Sequence, residues 1–145
     1  MTIIDLTYVN SYLANRLYTE DWSALSPQDR LRAMEMVNNA LNALDWSGEL
    51  TSAEQTNAWP RDSLPIPKPI KYAFSEECLA YAKGDTVDDL LEQANVRQDS
   101  YAKSQTTYIG RVPENLLNGI ISGSAWHLIK PYLRDARSVR VNRVS

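Results

Sequence analysis

His127 is the only histidine and Cys78 the only cysteine among the 145 residues. Any serine–histidine–acid or cysteine–histidine relay must therefore pass through one of them. His127 lies between Trp126 and Leu128 on a predicted helix, and no serine or acid beside it is marked out as a partner. The simple reading is a surface or half-buried imidazole. Cys78 stands next to Leu79 on an apolar helix face, where a thiol behaves as a small hydrophobe. No neighbouring base or cation in the sequence would lower its pKa. One cysteine and one histidine cannot build a Cys/His zinc site. The acidic group Asp85, Asp88, Asp89 and Glu92 lacks the alternation and central glycine of a calcium loop, so it reads as the wet face of a helix. The five glycines are scattered, and neither GxGxxG nor GxxxxGK(S/T) occurs. No carboxylate pair is singled out for acid–base work. The expectation is a protein with no catalytic residue, no metal ligands and no cofactor, and hence not an enzyme.

Binding chemistry is the alternative. Four tryptophans and eight tyrosines are enough to furnish stacking platforms for single-stranded DNA. Trp46, Trp59 and Trp126, however, fall at helix ends or on apolar faces, where aromatic rings usually anchor a core. A net charge of −3 gives the whole chain no attraction for nucleic acid or an anionic membrane. The exception is the last twelve residues, where Arg134, Arg137, Arg140 and Arg143 face a lone Asp135. If extended, this tail puts Val139, Val141 and Arg143 on one side. An isolated strand is not stable in water, so such a segment adds to a partner's sheet edge or groove, or else frays.

The elements that would hold these residues are mostly helical. Length and an ordinary globular composition suit one domain, residues 1–133, followed by the tail, 134–145. Residues 1–8 read as an extended lead-in, and Asn10 as the N-cap of a helix carrying Tyr12, Leu13, Arg16 and Leu17. Thr19 to Leu25 reads as a loop containing Trp22. Ser26-Pro27 is a strong helix start, and Leu31, Met34, Val37, Leu41 and Leu44 form one stripe until Ser47-Gly48. Residues 47–66 form a long ordered loop, with Trp46 and Trp59 tucked onto the bundle and Arg61 free at the rim. Pro67-Lys68-Pro69-Ile70 opens a helix with Ile70, Ala73, Phe74, Cys78, Tyr81 and Ala82 inward, closed by Gly84. A short acidic helix with Val87, Leu90, Leu91 and Ala94 inward follows. Thr106 to Ile109 then favours extended structure. A last helical region starts at Pro113 with a break near Ser122-Gly123, and Pro131 ends or kinks it. The fold class is mainly α: a bundle of four to five helices, a long ordered loop, a short extended segment and a C-terminal tail. No basic n-region opens the chain, and no apolar run of about 18 residues spans a membrane.

The order of certain residues adds a family. Tyr8-Val9-Asn10-Ser11-Tyr12-Leu13-Ala14-Asn15-Arg16-Leu17 is followed by Trp22 and by Leu25-Ser26 before a helix. Leu44-Asp45-Trp46-Ser47-Gly48 comes next, then Gln55, Ala58-Trp59-Pro60-Arg61, and Ile66-Pro67 opening another helix. Over residues 8–84 this resembles the small head–tail connector (adaptor) proteins of tailed bacteriophages, some of them labelled DnaT-like single-stranded-DNA-binding proteins. Beyond Gly84 the chain departs from the pattern, with a longer acidic helix and a longer Leu116–Leu133 region. The resemblance implies a homo-oligomeric ring, commonly a dodecamer, beneath the portal protein in the virion neck, assembled in the cytoplasm of a bacterial host. It implies a DNA channel that DNA passes without specific binding, and a surface for the next neck or tail completion protein. It also implies a C-terminal segment docked into the portal, which assigns portal docking to Arg134, Arg137, Val139, Arg140, Val141 and Arg143. Two alternatives stand beside this one: a single-stranded DNA-binding protein, and a phage assembly chaperone or regulator.

Overall fold

The computed structural model describes residues 1–94 and 112–134, and within them the chain is mainly helical, as the hydrophobic spacing requires. α1 is Leu6–Ala14, α2 Glu20–Ser23, α3 Pro27–Asn42 and α4 Lys68–Ala82. Residues 87–94 are helical and form α5. α6 is Glu114–Leu117 and α7 Gly123–Ile129, followed by a 3-10 turn, Lys130–Tyr132. No strand occurs among the described residues; two isolated antiparallel bridges, Trp46 to Leu133 and Leu50 to Arg61, stand in their place. The extended segment expected at 106–109 lies outside the described residues. So do the tail positions Arg137, Val139, Arg140, Val141 and Arg143.

α4 is the axis, and α7, α3, α1 and α2 pack against it. Ala73 to Leu79 is buried without interruption, because neighbouring elements cover α4 on more than one side. Phe74, Ile70, Leu79 and Cys78 meet Val9 and Leu13 of α1, Met34, Val37 and Leu41 of α3, and Ala125 and Ile129 of α7 in one cluster. Each large apolar side chain fully buried here contributes about 1.5–3 kcal/mol. All four tryptophans are at most 8% exposed and belong to the same cluster.

Several local expectations hold. Ser26 caps α3, its hydroxyl accepting from the Asp29 N–H, with Pro27 in the first turn. Gly84 follows α4 at φ +86°, the left-handed turn that ends a helix at little cost only with glycine. Other expectations need correcting. α1 begins at Leu6, capped by Asp5, whose carboxylate accepts from the Tyr8 N–H. Asn10 lies inside α1, and its side-chain oxygen accepts from Trp22 Nε1 and Arg30 Nη1. The stretch expected as a loop around Trp22 contains α2. Leu31, assigned to the inner stripe of α3, is 45% exposed, because Ala33 and Asn38 are turned inward with Met34, Val37 and Leu41. In the last helical region the break expected near Ser122-Gly123 is present, spanning residues 118–122. Gly119 at φ +81° ends α6, and Gly123 opens α7 under a Ser122 cap. As expected of Pro131, the α-helix stops just before it, at Ile129, and the proline sits within the 3-10 turn, where its missing N–H leaves no helical bond unmade.

Candidate functional site

Three polar constellations stand out once the core is in place. The first is an open groove of about 520 Å³ between α1, α4 and α7, lined by Tyr12, Arg16, Glu76, Gly123, Ser124, His127 and Leu128. Glu76 is buried, yet one of its oxygens, Oε2, accepts from Tyr12 Oη at 2.8 Å and from Arg16 Nε at 2.7 Å. Arg16 Nη1 turns away to the Leu17 carbonyl. Burial pushes the Tyr12 hydroxyl up to about 12, with its hydrogen bond to Glu76 adding to the shift. Arg16's own hydrogen bond to the Glu76 carboxylate is the main reason its guanidinium holds its proton more tightly. The Tyr12 ring stacks on Tyr72 at 5.2 Å, so this wall is rigid. His127 is exposed on the groove's rim, as expected for a lone surface imidazole. An ion pair already satisfied by an arginine and a tyrosine positions the wall; it supplies neither a free base nor an activated nucleophile.

The second constellation lies on the other side of the same helix turn. Glu77 is wholly buried. Its Oε2 accepts from the Ile121 N–H and its Oε1 from the Ser122 N–H, both at 2.8 Å. These two amides open the turn into α7, where backbone donors lack helical partners. Burial pushes the Glu77 carboxyl up to about 7, against the two N–H bonds that pull it down. Cys78, beside it, is raised well above its ordinary value, chiefly by burial and secondarily by the Glu77 charge. Such a thiol is inert.

The third constellation is the loop that carries the W-x-G, Gln and W-P-R residues. Trp46 and Trp59 meet edge to face at 5.3 Å, and Trp59 meets Tyr132 in the same way at 6.1 Å. Arg61 is not free at the rim. Its Nε, Nη1 and Nη2 donate to the carbonyls of Ser47, Ala58 and Gly48. A guanidinium presents its donors in a fixed fork, so one side chain ties both ends of the loop. Gln55 Nε2 donates to the carbonyls of Asn57 and Pro60, and the Trp59–Pro60 peptide is cis. Gly48 sits at φ +78°, and a Cβ there would press into the Asp62 carboxylate, whose Oδ1 accepts from the Glu49 N–H.

This loop also holds the root of the tail. Ser47 N and Oγ both donate to the Tyr132 carbonyl, and the Arg134 N–H donates to the Asp45 carbonyl at 2.9 Å. Arg134, the one tail arginine among the described residues, is exposed with its Nε 3.8 Å from Asp45. A pair at that distance and exposure contributes little.

Among the described residues no group of three or more His, Cys, Asp or Glu side chains is placed to hold a metal ion. No described helix is long and apolar enough to cross a membrane. The acidic residues Asp85, Asp88, Asp89 and Glu92 are all exposed on or beside α5, the solvated face their spacing suggests. The sequence reading missed Glu76, Glu77 and the work of Arg61. The signal for Glu77 was present: it stands seven residues after Ile70 and four after Ala73, on the apolar face of α4. No family model, no curated protein and no solved structure matches this chain.

Proposed function

We propose that this protein is a structural head–tail connector of a tailed phage virion, a non-enzymatic ring subunit beneath the portal that extends the DNA channel. The basic tail, from Arg134 through Arg137, Val139, Arg140, Val141 and Arg143, docks to the portal, and the outer faces meet neighbouring copies and the next neck protein. The observation that carries this reading is the placement of the signature loop. Trp46, Ser47, Gly48, Trp59 and Arg61 form a rigid clamp, and the same clamp grips Tyr132, Leu133 and Arg134 where the tail departs. A docking segment gains affinity when its root is fixed, since less freedom is lost on binding.

Exposed apolar side chains suit a subunit with several neighbours. Leu17, Tyr18, Met36, Leu64 and Leu117 are each more than half exposed, and heterologous ring contacts use different surfaces on the two sides of each subunit. A net charge of −3 keeps a channel wall from adhering to passing DNA. The single-stranded-DNA reading is weakened by the burial of all four indoles, which leaves none of them as a stacking platform. It predicts a salt-sensitive shift with oligonucleotides, and the connector reading predicts none at low salt. A chaperone or regulator would be missing from purified virions. Deletion of residues 134–145 tests the docking role: the expected product is a folded subunit that no longer binds the portal. Undiminished binding by the truncated chain overturns that role.

A further inference from the structure

We infer that docking of the α6–α7 unit onto α4 is proton-linked through Glu77, tightening when this carboxyl takes up a proton and loosening when it ionises. The geometry is a polar clasp at the turn, set beside the apolar packing of Ile120, Ala125 and Ile129 in the core. The turn between α6 and α7 is held on its own side by Asn115, whose Nδ2 donates to the carbonyls of Ile120 and Ile121 and whose carbonyl accepts from the Ile120 N–H. The rest of the bundle grips this turn's backbone through the Glu77 carboxylate, with 2.8 Å contacts to both Ile121 and Ser122.

Among the described residues no cation faces Glu77. Among the described residues the titratable groups coupled to it are Cys78 and Tyr81, both on α4. No charged side chain of α1, α3, α6 or α7 acts on it. In the docked form the carboxyl is wholly buried, and ionisation there must be borne by two N–H groups alone. In the undocked form it meets water and regains ordinary acidity. The docked form therefore binds a proton more tightly, and by linkage the proton favours docking.

The sign follows. Glu77 rises from 4.5 to about 7 on burial, so the favourable contribution is complete below about 4.5 and is lost as pH rises through about 7. Across that window the docking equilibrium shifts by about two orders of magnitude. α7 runs through the 3-10 turn into Leu133 and Arg134, so the root of the tail lies on the element this equilibrium controls.

Amide hydrogen exchange on the full chain at pH 5.5 and pH 8, corrected for intrinsic rates, tests the proposal. The amides of α7 are expected to lose at least tenfold in protection relative to those of α3 at the higher pH. Glu77→Gln is expected to remove that difference. A carbon-13 titration of the Glu77 carboxyl in the wild-type chain is expected to show a midpoint near neutrality, and it needs no variant to fold. The proposal fails if α7 and α3 protection move together with pH, or if Glu77 titrates in the ordinary carboxylate range.

Discussion

The loop at residues 47–66 and the junction of α4 with α7 solve one problem with opposite charges. In the loop a cation, the half-buried Arg61, gathers the carbonyls of Ser47, Gly48 and Ala58. At the junction an anion, the fully buried Glu77, gathers the amides of Ile121 and Ser122. Both satisfy backbone groups that irregular structure leaves without partners. They differ in the cost of keeping the charge. Arg61 keeps contact with water, whereas Glu77 has exchanged water for two donors. The loop should therefore behave as a pH-insensitive clamp, and the junction as the part that responds to protons.

The largest effect that would sharpen this contrast is expected from Glu77→Ala. It leaves a buried and a part-buried N–H unpaired and opens a cavity, a loss of about 3 kcal/mol in a denaturant titration near pH 5.5. A loss smaller than that of Arg61→Ala would break the comparison. Next comes pH itself. Because Glu77 is raised in the fold, the unfolded chain gives up its proton first, and stability falls as pH climbs from 5 to 8. The decline is of order 2 kcal/mol, present in wild type and in Arg61→Ala and flattened in Glu77→Gln. Gly48→Ala should cost about 2 kcal/mol, since alanine is strained at φ +78° and its Cβ meets Asp62. Its thermal midpoint should fall without a change in pH slope. Arg61→Ala is the smallest, about 1–2 kcal/mol, because solvent takes over part of the carbonyl bonding. Its clearest readout is greater protease sensitivity within residues 47–66.

Local signals made much of this fold readable. Ser26-Pro27, Pro67 to Pro69 and Gly84 act within one helical turn of themselves, so their meaning survives without the tertiary structure. Trp46 and Trp59 were readable as anchors because large indoles bracketing a polar loop have little else to pack on. Distance hid the rest. Asn10 looks like a cap, but its oxygen serves Trp22 and Arg30, 12 and 20 positions away. Arg61 looks free because its partners are backbone carbonyls, two of them 13 and 14 positions away. Glu76 and Glu77 drew no notice, since a charged side chain is rarely buried without a partner. The partners, Arg16, Tyr12 and two amides of the turn before α7, are 44 to 64 positions away. α2, four residues long, is too short for periodicity to announce.

Both clamps hold the C-terminal part of the fold, one through Tyr132 and Arg134, the other through Ile121 and Ser122. The portal-docking role proposed for the C-terminal segment would draw on that shared destination. The most direct test is a mass measurement on portal-containing particles assembled with the full chain. A ring of several copies bound to the portal is the predicted result; a chain that never co-assembles with portal or neck components would contradict it.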